Sequence, residues 1–224
     1  MAKPDVKFGD WIQGGFDLYK QHFGFLLAIH LIATILSVVT LYVLAGPMFV
    51  GVILVTLALA DKKEPKPEIG MLFDGFKYFL PSFLFALVWG LISVAANFIL
   101  GVVPGLGLLF SMSLSTFLAF GLFLIADRNM QFWPASMESF GTVKQNFFPF
   151  LGFVLVAGLI ASVGLLFCCI GIIFTLPIYT TILAVAYRDV FGGGTAEATP
   201  AAEALPAEEP MEEASESVDE EKGE

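Results

Sequence analysis

The chain has 224 residues, 57% of them hydrophobic and 14% charged, with a mean hydropathy of +0.83. Soluble domains average about 45–50% apolar and about 25% charged, so a water-soluble globule is excluded in favour of a membrane class. The net charge of −10 belongs to the end of the chain, where Lys222 is the one base among the acids after Gly192, so the acidity says nothing about what the body binds.

The first 20 residues contain Lys3, Asp5, Lys7, Asp10, Asp17 and Lys20, which break up any signal-peptide core, and the N-terminus is expected to be retained. Phe8, Trp11, Ile12, Phe16, Tyr19 and Phe23 recur at helical spacing opposite Asp10, Gln13, Asp17 and Lys20, which predicts an amphipathic helix at the membrane–water boundary. From Gly24 to Ala60 the chain carries no acidic or basic residue except His30, a length that suits two spans with a turn at Gly46-Pro47. About a dozen Leu, Ile and Phe residues, each favouring insertion by about 0.3–0.6 kcal/mol, outweigh that histidine. Two full spans need about 40 residues. The helix Met48–Ala60 would reach only about 20 Å, so either the bilayer thins, the turn lies below the headgroups, or the hairpin is re-entrant.

The pattern then recurs. Ile69, Leu72, Phe73 and Phe76 form a second amphipathic stripe before Phe79–Ala126, which turns at Pro104-Gly105 and Gly107. Met137, Phe140, Val143 and Phe147 form a third before Phe147–Tyr187, which turns near Cys168-Cys169-Ile170-Gly171. Pro81 and Pro149 stand where stripe meets span and are expected to set bends. The fold class is therefore all-α and membrane-integral: six transmembrane helices as three hairpins, each preceded by a short amphipathic interfacial helix. Residues 1–191 form the polytopic domain, with repeats at about 8–61, 68–128 and 136–190. Residues 192–224 lack a periodic apolar face and read as a disordered acidic tail.

The repeat rests on matched entries and exits. Phe16, Lys20, Gln21 and Phe23 align with Phe140, Lys144, Gln145 and Phe147, and the units leave as Ala60-Asp61, Ala126-Asp127 and Arg188-Asp189. Every Lys and Arg lies in the N-terminal segment, between hairpins, or in the C-terminal segment, and the hairpin turns carry none. The positive-inside rule then puts both termini in the cytoplasm.

Chemistry is sparse. There is no phosphate loop, His-Glu-x-x-His, Gly-x-Ser-x-Gly or Cys-x-x-Cys, and no basic stripe for nucleic acid. The adjacent Cys168 and Cys169 read as small apolar turn residues, because neighbouring cysteines pair only through a strained ring. The carboxylates Asp61, Asp74, Asp127 and Glu138 match no metal motif and read as exit caps or solvated faces. At membrane depth the polar residues that stand out are His30 and Asn97. His30 lies just over one turn into its span, shallow enough to reach the interface, and reads as structural or interfacial rather than as a proton relay. Asn97 is expected to bond across to another helix. Ser111, Ser115 and Ala119, like Ala157 and Ala161, suit close helix packing, while Trp11, Trp133 and Tyr187 suit a boundary aromatic belt. Trp89 sits deeper, in the bundle or against lipid.

The entry Phe-x-x-x-Lys-Gln-x-Phe, the Gly46-Pro47 start of a short helix, and Leu72-Phe73-Asp74-Gly75-Phe76 together resemble bacterial six-helix inner-membrane proteins of unassigned activity, the YciC-like proteins among them. They are also similar to the membrane domain that accompanies some glycerophosphoryl diester phosphodiesterases. The resemblance covers about residues 8–190, implies the bacterial cytoplasmic membrane, and supplies no catalytic residue. The expectation is a non-enzymatic scaffold or accessory protein without cofactor or metal, in contact with lipid and, through its tail, with a protein partner. The alternative is a small transporter or channel for a lipid or apolar solute.

Overall fold

Uncharged apolar runs leave the backbone no hydrogen-bond partner but itself inside a bilayer, and among the described residues every regular element is helical. A computed structural model describes residues 5–103, 105–164 and 170–192, without the side chains of Ile170 and Ile172. Pro104, the Cys168-Cys169 pair and the acidic segment 193–224 lie outside the described residues. In chain order the elements are α1 (Phe8–Gln21), α2 (Phe23–Val39), α3 (Ala45–Ala60), a 3₁₀ segment (Ile69–Tyr78), α4 (Phe79–Leu100), α5 (Leu106–Phe117), α6 (Gly121–Arg128), α7 (Phe132–Lys144), α8 (Phe147–Ser162) and α9 (Ile170–Phe191).

Among the described residues three helices are long and apolar enough to cross a membrane: Ile69–Leu100, Leu106–Arg128 and Ile173–Phe191. The number reaches five if each bent pair, α1 with α2 at 91° and α7 with α8 at 108°, is one span. The expected proline bends are met in one place only. Pro149 sits at the start of α8, after the α7–α8 bend, whereas Pro81 lies inside the continuous Ile69–Leu100, and the α1–α2 bend has no proline.

The first hairpin turns earlier than its sequence suggested. The chain reverses at Thr40–Leu44, with Leu41 and Tyr42 at φ +51° and +65°, and the Thr40 hydroxyl donates to Leu36 O while accepting from Leu44 N–H. Gly46 and Pro47 instead sit in the first turn of α3, where a proline's missing N–H costs nothing. Gly46 is there because the backbone of Ser82 leaves no room for a Cβ. The earlier turn lengthens α3 to 16 residues, about 24 Å at 1.5 Å per residue. Its short length matters less than expected, because Met48, Val50, Val52, Ile53, Val55 and Leu57 are all buried and the helix is covered around most of its circumference, with Phe49 left open.

Each amphipathic entry packs on an exit helix of another unit. Lys7 and Trp11 meet Asp189, Gly15 abuts Ile182, and the Tyr19 hydroxyl donates to Phe174 O, so α1 runs back along α9. Trp11, Gly15 and Leu18 are its buried face, while Phe8 and Phe23 stay exposed. The 3₁₀ segment lies on α3 through Gly75 and Gly51, whose backbones touch. α7 lies on the α5–α6 junction through Ser139. The ends of α3, α6 and α9 meet in one apolar cluster with Val50, Leu124, Ile125, Ile182 and Tyr187. Outside them, α4 exposes Leu91, Val94, Phe98 and Ile99.

Candidate functional site

The exit helices converge on a charge. Arg188 near the end of α9 donates through one terminal nitrogen to Asp61 Oδ2 of α3 at 2.7 Å and through the other to Asp127 Oδ1 of α6 at 2.9 Å. Tyr187 donates its hydroxyl to the second oxygen of Asp127 at 2.9 Å, and Lys63 approaches Asp61 at 3.6 Å. The side chains of Arg188 and Asp127 are 11% and 14% exposed, so the pairing is sheltered from the screening that weakens surface ion pairs. A planar guanidinium with several donors suits two carboxylates on different helices. Its Nε is buried without a partner among the described residues.

The surrounding charges are paired too. Asp189 accepts from Lys7 at 2.8 Å and from the Trp11 indole at 3.1 Å; the hydrogen bond and attraction from Asp189 hold the Lys7 ammonium above its ordinary range. Arg128 donates to Glu138 at 2.7 Å and to Phe191 O, the last carbonyl of α9, at 3.0 Å. Asp74 pairs with Lys77 at 2.8 Å. Of the carboxylates singled out from the sequence, then, only Asp61 and Asp127 come together, and a cation lies between them. Among the described residues no cluster of three or more His, Cys, Asp or Glu is placed to hold a metal.

His30 is packed inside the bundle. It is 4% exposed, with Nδ1 at 2.8 Å from Leu26 O and Nε2 at 2.9 Å from Thr180 Oγ1 on α9. Since a carbonyl only accepts, Nδ1 carries the proton, and Nε2 pairs with the Thr180 hydroxyl, which also lies 2.9 Å from Pro177 O. The bond ties α2 to α9. Asn97 does bond across helices: its Nδ2 donates to Ser111 Oγ on α5 at 2.6 Å and to Ser93 O of its own helix at 2.8 Å.

Thr180, Ser93 and Ser111 all border one open cavity of about 310 Å³, lined by α3, α4, α5, α6 and α9. The two polar residues picked out at depth thus each bond to its wall without lining it. Ser111, Ser115 and Ala119 face the cavity and not a tightly packed helix, as their spacing suggested; small side chains there leave space open. Ala157, by contrast, is fully buried, and Thr175 donates to Ala161 O, the close α8–α9 packing expected of that pair. Trp89 also lines the cavity while donating to Ser136 Oγ and stacking on Trp133. Trp11 and Tyr187, expected at the boundary, are 1% and 0% exposed, and only Trp133 is open. Trp11 and Tyr187 thus pack within the protein instead of lying open on its surface, because α1 folds onto α9 and buries the indole.

The Arg188 node escaped sequence reading, although a signal was present. Two units end in Asp61 and Asp127 and the third in Arg188, a complementary set once the exits meet. No family model, curated protein or solved structure matches the chain.

Proposed function

We propose that this chain is a six-span integral protein of the bacterial cytoplasmic membrane, with both termini cytoplasmic, acting as a non-enzymatic scaffold or accessory protein. The observation that carries the reading is the node at Arg188, which ties the ends of α3, α6 and α9 at one point and makes that end of the bundle a fixed platform. The six spans are α2, α3, α4, α5 with α6, α8 and α9. Three repeated units are supported by the order of packing: the first entry lies on the third exit, the second on the first and the third on the second. The likeness to YciC-like proteins belongs to the proposal and stands on the sequence motifs alone.

The cationic side chains of the described residues cluster with the exits and entries, while the turns at Leu41–Val43 and Gly101–Val103 carry none, in keeping with the positive-inside rule. Contact surfaces on this platform are the polar face of α1, where Asp10, Gln13 and Asp17 are exposed, and the acidic residues beyond 192. A basic partner segment is the natural complement of that tail. Capture of a cross-linked partner from native membranes by the full chain, weakened by salt and lost on truncation to residues 1–191, is the expected result. Capture unchanged by truncation removes the tail from this reading.

One observation favours the second reading, a carrier for a lipid or apolar solute: the cavity beside Asn97. Flux into proteoliposomes that Asn97→Leu abolishes would select it over the scaffold.

A further inference from the structure

The cavity has walls that specify an occupant. We propose that it seats one acyl chain of a membrane phospholipid, with an ester oxygen of that lipid at Ser111. The inference rests on the membrane reading above and goes beyond it.

The walls are hydrocarbon for most of their extent, with Phe49, Ile53, Leu114 and Phe123 among them. At about 310 Å³ the space lies at the lower end of the range for ligand pockets, about 300–1,000 Å³. Left empty, it forfeits dispersion contacts along its whole lining. Inside a bilayer the hydrocarbon at hand to restore them is lipid.

A plain hydrocarbon would leave polar groups on the wall unused. Ser111 Oγ already accepts from Asn97, so its own proton is uncommitted. Ser93 and Tyr179 line the same space, and their hydroxyls make no hydrogen bond among the described residues. Each is a donor seeking an acceptor, and an ester carbonyl is one. Depth agrees. Asn97 stands four residues before Gly101 and Ser111 five after Leu106, about 6–8 Å below the α4–α5 turn at 1.5 Å per residue. The interfacial layer is about 5–8 Å thick on each side of the hydrocarbon core, so that depth is its inner edge, where the ester groups join the acyl chains. An oxygen held at Ser111 sends its chain inward, past Trp89 and Phe123, toward Thr180.

Gly90 supplies the means of testing this. It lines the cavity, and a Cβ built there meets no atom within 4 Å, so a larger side chain would enter the space in place of the lipid. The full chain is reconstituted with a phospholipid carrying a diazirine midway along one acyl chain, photolysed and mapped by peptide mass spectrometry. Adducts are expected at Trp89, Phe123 or Leu183, about tenfold fewer in Gly90→Phe and reduced in Ser111→Ala. Adducts at the outward Phe98 and Leu109 should persist in both variants. Where Gly90→Phe does not fold, Ser115→Leu fills the cavity from the opposite wall. Lining adducts that persist in either folded variant overturn the proposal, as does labelling by a photoactivatable fatty acid but not by the phospholipid. Adducts confined to Phe98 and Leu109 overturn it while leaving the membrane reading intact. No adducts anywhere remove both.

Discussion

Arg188 shows what one side chain does when three chain ends meet on it. Replacing it by Leu leaves Asp61 and Asp127 sheltered, with Lys63 as the nearest cation, and breaking a buried pair in this way costs about 3–5 kcal/mol. The Arg188→Leu protein should therefore show a lowered Tm in detergent. Arg188→Lys should recover only part of it, since an ammonium is a point charge that cannot fork between two carboxylates. An unchanged Tm would mean that the node contributes nothing to holding the helices. His30 and Thr180 form a smaller tie. A double-mutant cycle of His30→Leu and Thr180→Val should return a coupling of about 0.6 kcal/mol, and at most about 1.7, the range for hydrogen bonds between membrane helices. Strict additivity would show that the two side chains do not interact.

Elements in this chain are held by backbone approaching backbone. At the α5–α6 break the Ala119 and Gly121 amides bond three residues back, which frees Phe117 C=O and Phe120 N–H. Ser139 of α7 serves both, donating to the carbonyl at 2.7 Å and accepting from the amide at 3.3 Å. Ser139→Ala orphans these two groups and should cost about 1–3 kcal/mol, measured as a fall in thermal stability. Gly15 lets α1 touch α9, and a Cβ there would lie 2.5 Å from Ile182 Cα. Gly15→Leu should push α1 away, part Lys7 and Trp11 from Asp189, and expose α1 to protease while α9 stays protected. Protection of α1 equal to that of the unmodified chain would refute the close approach.

At the scale of the molecule the prediction concerns sides. In a chain with Cys168 and Cys169 replaced by Ser, Lys62→Cys and Asn129→Cys should react with an impermeant maleimide from the cytoplasmic face only. Tyr42→Cys and Val102→Cys, at positions 69% and 87% exposed, should react only from the opposite face. Labelling of Lys62→Cys and Tyr42→Cys from the same side would collapse the layout. Under the proposed topology the stitched cationic end and the bare turns at the other end are two views of one polarity: ions gather where water is, and the turns without charges are those that have to cross the hydrocarbon.

The sequence by itself determined the helical class, the amphipathic entries and the position of the second hairpin turn. Each of these is a local consequence of hydropathy and spacing. It also picked out His30 and Asn97, since polar atoms in an apolar run are visible without any fold. The tertiary structure alone decided that the chain reverses at Thr40–Leu44, ahead of Gly46-Pro47, and that position 46 has no room for a side chain, because the backbone it meets is that of Ser82, 36 residues away in the chain. It alone made Trp11 and Tyr187 core residues, joined Arg188 to Asp61 and Asp127, and turned the Ser111–Ala119 face into a cavity wall. Those outcomes depend on which helices become neighbours, and periodicity along one helix carries no record of its partner.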